Sequence, residues 1–593
     1  MSASHANASD SAPPPGRVMR WCLGISSLVA FALGIAGHLH PSQHMSFWDA
    51  FYHTAQLFAM HSPHLEHVPW QLHCARLLAG ATTIVAGFRF FRHLWRAEVA
   101  DMRLGRMSGH VVVCGLGRKG MALVRHLRGS DHDVVAIESA PSAEAAACCR
   151  ALGVHLIAGN AMNPDVLRAA RVTHARQVIA ICPQDGTNCE IGAQVYRLRA
   201  SAGGSDETAC CVHVSDSEAR QALQELLEPD GGTPGARVRF FDCFDPEARR
   251  LVATELPIDH DGVRPGDPRR VHLIVLGLGR MGRALVLRAA QLGVFANGTR
   301  IRISIIDRRA HTRRDELLFH HPGLADACDV EFHETDIASP RTRTLLAQWC
   351  ADADAITSVA VCIDNEQQAL HIALPLRRIA AGRSARVAVR MPGHDGVARF
   401  LEARAARGAA AGMFRCFGME ERVAETGAVD EDAGERLTRQ MHEAYRKMRH
   451  EEPSANRAEL DKDRAMKAWD ELDEDLRESN RQQRAHLAIK MRAVDCEIVE
   501  RSDPRPALSV FADAEVDLLA ELEHRRWMTE KLIAGWTHAP GDKNEQRRTS
   551  PHLVPWAGLS DKVREYDRAT IRSIPALMDL TGQKVCRRAD DAP

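Results

Sequence analysis

The feature that most constrains this chain is a strand–turn–helix pattern that occurs twice. The stretch HVVVCGLGRKG spans residues 110–120, and HLIVLGLGRMG spans residues 272–282. In each, apolar residues lead into a G-x-G-x-x-G turn, whose glycines let phosphate oxygens approach backbone N–H groups at a helix N-terminus. A second apolar stretch then ends in an acid, Glu138 or Asp307, at a position where a ribose hydroxyl is typically held. The sequence therefore predicts two α/β units, each a doubly wound parallel sheet.

The two copies also resemble each other beyond the turns. The later segments FFDCFDPEARRLV (240–252) and MFRCFGMEERVAE (413–425) correspond, so the chain contains an internal duplication. An alternative stays open for either copy, namely a structural Rossmann core with an empty cleft. The residues predicted to contact a nucleotide are Gly115, Gly117, Arg118, Gly120, Glu138 and Asn160 in the first copy, and Gly277, Gly279, Gly282 and Asp307 in the second.

Upstream of the first copy, residues 18–96 form a predicted two-helix membrane region. Residues 18–36 carry one charge, Arg20, and residues 72–91 are mostly apolar, so each is long enough to cross the hydrocarbon core as a helix. A cleaved signal peptide is the alternative for the first helix. Arginines at both outer ends predict a multi-pass protein of the inner membrane with both termini in the cytoplasm. Residues 1–17, rich in Ser, Ala and Pro, are predicted to be disordered.

Between the two membrane helices, Ser46 is predicted to cap a short amphipathic helix that reaches about Met60. This order of helices resembles the pore module of two-helix potassium channels, in which the short helix is re-entrant. The sequence Phe58-Ala59-Met60-His61-Ser62-Pro63 lacks the glycines of a carbonyl-lined filter, so a non-selective pore or no pore remains open. Histidines are frequent here and could sense protons or bind a metal, but no ligand spacing defines a metal site.

The composition of the chain limits the classes of partner that it is expected to bind. The chain has 76 basic and 77 acidic residues and a formal net charge of −1, which does not favour nucleic acid. Its 16 cysteines show no C-x-x-C spacing, as expected of reduced thiols in cytoplasmic domains.

The Gly-x-Gly-Arg-x-Gly turn after a strand, the acid after the second strand and the loop Gly159-Asn160-Ala161 together resemble RCK domains. Those are Trk-type regulators of potassium conductance, and the resemblance covers about residues 109–250 and 271–425. It implies parallel sheets, paired domains, a homo-oligomer and control by NAD(H), another adenine nucleotide or ions. The family's loop aspartate is Asn160 here, and Thr335-Asp336-Ile337 lacks the small residues. Nucleotide binding is therefore more strongly expected at the first copy.

The C-terminal third contains two further regions. Residues 428–505 are strongly charged and are predicted to form a solvated, partly packed helical connector. Residues 511–580 carry Glu-x-x-His-x-x-Trp, Gly-Trp and Tyr-Asp-Arg, which resemble the RyR repeat, a small all-α module. In the alternative interpretation, the tryptophans are core residues and the basic loop is solvated. The resemblance implies a ligand pocket formed by His524, Trp527, Trp536, Lys543, Arg547, Arg548, His552, Tyr566 and Arg568.

Together these features predict a multidomain, membrane-anchored ion channel or channel-like regulator of cation (potassium) transport that senses a nucleotide. The alternative is a non-conducting membrane sensor or effector that responds to a nucleotide-derived signal. Neither copy is followed by a segment with a His/Asp or Lys/Tyr pair, so we expect no enzyme, although an NAD-using enzyme is a further rival. The expected partners are the lipid bilayer, a small nucleotide, and further copies of the chain as a dimer or tetramer.

Overall fold

A computed structural model describes residues 15–41, 43–61, 68–202, 209–216, 219–220, 222–223, 237–380, 385–393, 414–418, 433–451, 460 and 463–588. The chain divides into two compact units, Met1–Met107 and Ser108–Pro593, which are described separately. Predictions for residues 1–14, and for His64 and His67 in the histidine-rich segment, lie outside the described residues.

The N-terminal unit consists of three helices that pack on one another, α1 (Pro15–His38), α2 (Phe47–Phe58) and α3 (Trp70–Arg106). Glycine allows α1 and α3 to approach closely, since a Cβ atom on Gly37 would lie 3.0 Å from that of Leu72. The Ser46 hydroxyl accepts a hydrogen bond from the Asp49 N–H at 3.3 Å and caps α2 as predicted. Two stretches, Trp21–His38 and Trp70–Phe91, are long and apolar enough to span a membrane. The predicted helix hairpin is therefore present.

The second unit begins with a six-stranded parallel sheet in the order β3-β2-β1-β4-β5-β6. This order places the glycine turn after β1 at the switch point of a doubly wound sheet. All four β1 residues are buried because helices cover both faces of the sheet. The strands are β1 (Val111–Cys114), β2 (Val134–Glu138), β3 (His155–Ala158), β4 (Gln177–Ala180), β5 (Ala209–His213) and β6 (Arg237–Phe241), and the helices are α4 (Arg118–Gly129), α5 (Ala143–Leu152), α6 (Pro164–Ala169), α7 (Asp185–Ser201) and α8 (Asp245–Arg250).

A second parallel sheet repeats this topology in the order β12-β11-β10-β7-β8-β9. The two predicted Rossmann-type units are therefore confirmed, and the structure shows that they share one strand order. The strands are β7 (Arg270–Leu276), β8 (Arg302–Asp307), β9 (Asp329–Glu334), β10 (Ala355–Val361), β11 (Arg386–Arg390) and β12 (Phe414–Phe417), and the helices are α9 (Arg280–Leu292), α10 (Ala310–His320), α11 (Leu324–Ala327), α12 (Pro340–Ala351) and α13 (Glu366–Ala380).

The C-terminal module is mainly helical, as predicted, with short strands added. Its β13 and β16 pair antiparallel, and β14 and β15 form a two-residue parallel ladder. The predicted connector contains helices α14 (Ala433–Glu451) and α15 (Glu474–Ala493). The module itself contains helices α16 (Asp513–Ile533) and α17 (Asp561–Leu580) and strands β13 (Cys496–Glu500), β14 (Thr537–His538), β15 (Thr549–Ser550) and β16 (Gln583–Arg587).

Helix α15 is packed more deeply than the predicted solvated, partly packed connector. Ala485 and Ile489 of this helix pack in the core of the second Rossmann unit, and Leu487 and Met491 pack in the core of the C-terminal module. Its polar residues Gln482, His486 and Lys490 are buried as well, and the His486 ring donates a hydrogen bond to the Val294 carbonyl at 2.9 Å. Lys490 pairs with Glu523 and Arg492 with Asp259, so partners distant in the sequence replace water for part of this charged helix.

Candidate functional site

In the first glycine turn, two glycines are required by the backbone and a third lies in open space. Gly115 has a φ of +100°, in the left-handed region that favours glycine. A side chain on Gly120 would collide with the Gly115 carbonyl oxygen, so the helix can start this close to the strand only with glycine there. Gly117 has extended backbone and no atom within 4 Å of a Cβ built on it. The turn is therefore rigid at its base and open at the N-terminus of α4.

Glu138 lies at the end of β2 and is tied to this turn. Its carboxylate accepts hydrogen bonds from the Leu116 N–H at 2.6 Å, the Ser139 hydroxyl at 3.1 Å and the Ala140 N–H at 3.3 Å. Burial alone would raise the pKa of Glu138, but these backbone donors hold it below its ordinary value. At the end of the neighbouring β3, exposed Asn160 accepts a hydrogen bond from the Met162 N–H at 3.0 Å. This edge of the sheet therefore carries an ionised acceptor beside an exposed amide.

The second turn has the same backbone conformation, but the acid beside it, Asp307, has different partners from Glu138. Gly277 has a φ of +97°, a side chain on Gly282 would meet the Gly277 carbonyl oxygen, and Gly279 is open. Asp307 accepts hydrogen bonds from the Leu278 and Arg309 N–H groups, each at 2.8 Å. It also forms an ion pair of 2.6 Å with the Arg313 guanidinium. The acid of the second copy is thus already neutralised by a cation.

Both turns face one shared cavity of about 690 Å³. Gly117 and Ile181 line it from the first Rossmann unit, and Gly279 and Met281 line it from the second. The cavity is strongly cationic, and its two acids are Glu247 and Asp364. The N-termini of α4 and α9 both begin at this cavity, which adds their positive dipole ends to the charge of the side chains. Its basic lining residues are Arg118, Lys119, Arg280, Arg283, Arg309, Arg313 and Arg390.

Two of these cations make contacts inside the protein: one connects the two Rossmann units, and the other lies against an aromatic ring. The Arg280 guanidinium donates a hydrogen bond to the Pro183 carbonyl at 2.6 Å, from the second unit to the first. The Lys119 ammonium lies 3.5 Å from the centroid of the Phe244 ring. Burial lowers the pKa of Lys119, so an anion placed beside it would gain a partly desolvated partner.

His213, at the end of β5, also lines the cavity and is only 1% exposed. Among the described residues, neither of its ring nitrogens has a hydrogen-bond partner. Burial and then the charges of Lys119 and Arg280 lower the pKa of His213 to about 2, so the ring is neutral. The Asp242 and Asp185 carboxylates lie 3.6 and 4.0 Å from its two ring nitrogens, so His213 faces acids inside the protein and does not by itself indicate a ligand.

The residues present fit the phosphate groups of a nucleotide. Open space at Gly117 and Gly279 leaves both helix N-termini accessible, and guanidinium and ammonium groups are the donors that phosphates prefer. The sequence predicted both turns and Arg118, but it missed the cavity between them and the other cations. One signal was available, because Arg118 and Arg280 occupy the same position of the repeated motif.

The predicted pocket residues of the C-terminal module fall into two groups. In the first, the His524 ring lies 5.8 Å from that of Trp527 and 5.9 Å from that of Trp556, and its Nε2 donates to the Val554 carbonyl at 2.9 Å. The Arg568 guanidinium lies 5.9 Å from the Trp556 ring. Trp556 was not predicted, and it joins these side chains.

The second group surrounds the end of α16. Trp536 is buried, with the Lys543 ammonium 5.1 Å from its ring, and the Arg548 guanidinium donates to the Ala534 carbonyl at 2.9 Å. Arg547, His552 and Tyr566 are exposed. The structure thus supports a core role for Trp536 and leaves a ligand role of these residues as a prediction.

In the N-terminal unit, the rings of His38 and His53 stack with centroids 5.8 Å apart. Within the described residues, no three His, Cys, Asp or Glu side chains form a group that could hold a metal ion.

The fold and the cavity define a chain with two apolar helices of membrane-spanning length, a pair of Rossmann units around one cationic cleft, and a helical module. Two family models match the chain: the TrkA-N domain at residues 111–227 and the RyR domain at residues 507–587. The predicted resemblance to RCK-type regulators and to the RyR repeat is thereby confirmed at the level of these domains.

Among characterised proteins, Potassium channel protein 1 of Methanocaldococcus jannaschii is 24% identical over 108 residues, which cover 18% of this chain and 32% of that protein. The match thus spans about a third of the relative's length. The chain is also similar to the GsuK channel bound to NAD, at 14% identity over 68% of this chain and 81% of that one, with a TM-score of 0.37. The TrkA-N domain of the inner membrane protein ybaL from Escherichia coli is 25% identical and covers 21% of this chain and 99% of its own, with a TM-score of 0.16.

Proposed function

We propose that this protein is a membrane-anchored regulator of potassium transport whose state depends on an adenine nucleotide. The observation that carries the proposal is the cationic cavity between the two glycine turns. The match to the TrkA-N domain and the similarity to a potassium channel protein support potassium as the transported ion. The protein acts as a sensor and not as an enzyme.

The cavity offers a physical route from binding to regulation. A nucleotide phosphate between Gly117 and Gly279 would contact cations from both Rossmann units, so its affinity depends on how the two units pack. A ligand shifts an equilibrium between packings only by the difference in its affinity for them. Helix α3 ends at Arg106, shortly before β1 begins at Val111, so the covalent path to the membrane helices is short.

In the membrane part, α1 and α3 span the inner membrane with both chain termini in the cytoplasm, and several copies assemble. The Ser26 and Thr82 hydroxyls form a hydrogen bond of 2.9 Å between these two helices, which satisfies both groups away from water. A pore made of two-helix hairpins requires a tetramer, whereas a dimer suits an anchored sensor.

The test is ion flux through liposomes that contain the full-length protein. Potassium and sodium are compared with and without NAD(H), ATP and ADP-ribose, and bound nucleotide is measured in parallel. Gly117→Val places a side chain in the open part of the cavity without backbone strain. Gly129→Val, at the far end of α4 and also in open space, is the matched control.

We expect potassium flux that changes with a nucleotide in the wild type and in Gly129→Val, and no such change in Gly117→Val. An unchanged response in Gly117→Val would contradict the site. A protein that binds nucleotide but conducts no ion would favour the second candidate, a non-conducting membrane sensor or effector. That candidate is motivated by residues 58–63, which contain no glycine where a filter is expected. Conversion of NAD to a product would overturn the assignment as a sensor.

A further inference from the structure

The acids of the two Rossmann units differ in their partners, although the units share one topology. Glu138 is held by the Leu116 and Ala140 N–H groups and by the Ser139 hydroxyl, all of which are neutral donors. It is partly exposed, and the Leu116 N–H that it binds immediately precedes Gly117, a residue that lines the cavity. A ribose hydroxyl can therefore reach Glu138 at the rim of the cavity without displacing a cation.

Asp307 cannot serve a ribose in the same way. Its side chain is 10% exposed and is paired with Arg313, so a sugar hydroxyl would have to break a partly buried ion pair. The acid in the loop after β9, Asp336, is likewise paired with Arg308 at 2.7 Å. Arginines after β8 thus neutralise both acids at the edge where a nucleoside would bind.

The same arginine run supplies cations to the cavity. Arg309 and Arg313 line it together with Arg280 and Arg283 of α9. Arg313 is paired with Asp307 and Arg283 with Glu316, so Arg280, Arg309 and the N-terminus of α9 supply the positive charge that a phosphate meets on this side. Guanidinium groups match phosphate oxygens in geometry and charge, whereas they match an uncharged nucleoside poorly.

We infer that the two units form one asymmetric site for a single nucleoside polyphosphate per chain. This inference rests on the proposed function and specifies its ligand. The nucleoside binds at the first unit with its ribose at Glu138, and the phosphate chain extends past Gly117 towards Arg280 and Arg309. The second unit binds phosphate and holds no nucleoside. Lys119 lines the cavity from the first unit and contacts the phosphate chain there.

In this arrangement, the number of phosphates on the ligand determines its affinity. Each added phosphate brings new charge-assisted hydrogen bonds, which predicts that affinity increases about tenfold or more from AMP to ADP and again from ADP to ATP. A dinucleotide is disfavoured, because its second nucleoside would have to occupy the guanidinium-lined side.

The experiment is calorimetric titration of the full-length protein in detergent and EDTA with AMP, ADP, ATP, NAD and inorganic triphosphate. Glu138→Gln keeps the size of the side chain and removes its charge, and Arg309→Gln removes one exposed cation from the second unit. Arg314→Gln is the control, because Arg314 belongs to the same run but pairs with Asp315 and does not line the cavity.

The expected result is one ATP per chain, with ATP the tightest ligand. Arg309→Gln should weaken ATP about tenfold and leave AMP nearly unchanged, whereas Glu138→Gln should weaken AMP, ADP and ATP equally and spare triphosphate. Two nucleotides per chain, or affinities independent of phosphate number, would overturn the asymmetric site while preserving a nucleotide-binding protein. Absence of binding by every nucleotide would overturn the proposed function, and this inference with it.

Discussion

Within one glycine turn, neighbouring glycines have different roles, and substitutions separate them. Gly120→Ala should destabilise the first Rossmann unit by about 2–4 kcal/mol, because the new Cβ collides with the Gly115 carbonyl oxygen and overpacks the turn. Gly117→Ala should change stability by less than about 0.5 kcal/mol, since nothing lies within 4 Å of its Cβ. Thermal unfolding of the purified protein measures both. Equal losses in the two variants would contradict this division.

The ionisation of Asp567 on α17 should make the stability of the protein depend on pH. Burial and the nearby Glu523 charge raise the pKa of Asp567 from 3.8 to about 7. Between these two values the folded state binds more protons than the unfolded state, so stability decreases as the pH rises through this window and is level above it. Asp567→Asn removes the titration and should stabilise the protein by about 1–2 kcal/mol at pH 8, a value reduced from the full shift because the side chain is 24% exposed.

At pH 4 the same substitution should have almost no effect, because Asp567 is then protonated in the folded protein and carries no charge. Melting temperatures of the variant and the wild type at pH 4 and pH 8 test this. A difference that is the same at both pH values would show that Asp567 does not titrate in this window.

Helix α15 connects the Rossmann units to the C-terminal module through partly buried ion pairs. Glu478 accepts hydrogen bonds from Arg249 of α8 at 3.0 Å and from Arg288 of α9, whose side chain is 5% exposed. Burial alone would raise the pKa of Glu478, yet Arg249 and Arg288 hold it well below its ordinary value. Glu478→Gln should therefore cost about 1.5–3 kcal/mol, because both guanidinium groups lose one charged partner and keep Asp245, and the Glu478 side chain is 27% exposed.

The control is an exposed pair. Asp579 lies 3.3 Å from Arg501, with both side chains more than half exposed, and Asp579→Asn should cost less than about 1 kcal/mol. Urea titration of the full-length protein in detergent compares the two substitutions. A cost at Glu478 as small as that at Asp579 would show that water reaches the ion pairs of α15.

The same helix shows what the sequence can predict about elements. Local signals sufficed for α2, whose cap Ser46 is visible in the sequence, and for the two strand–turn–helix units, whose glycines fix the backbone. They were insufficient for α15, because the partners of its polar side chains, such as Val294 and Asp259, are far away in the chain. The cavity was missed for the same reason, since each turn predicts its own cleft and not the packing of one cleft against the other.

At the scale of the molecule, the second Rossmann unit and the C-terminal module share a core. Ile533 at the end of α16 packs in the same cluster as Ile489 of α15 and Ile303 of β8. Arg525 of α16 also donates to the Phe295 carbonyl at 3.0 Å. We therefore expect the two parts to unfold together, although their sequences resemble separate domains.

Buried thiols report on each part separately. Cys328 belongs to the core of the second Rossmann unit and Cys586 to the C-terminal module, and both are 0% exposed. Ile533→Ala should destabilise the shared core by about 2–4 kcal/mol, so pulsed alkylation in increasing urea should show both thiols becoming reactive at the same lower concentration. Val510→Ala, at a side chain that is 71% exposed, should shift neither. If Ile533→Ala exposed Cys586 alone, the module would unfold independently, and binding at the cavity could not be transmitted to it through the shared core. A joint shift would make the cavity and the C-terminal module parts of one cooperative unit, in which nucleotide binding stabilises both.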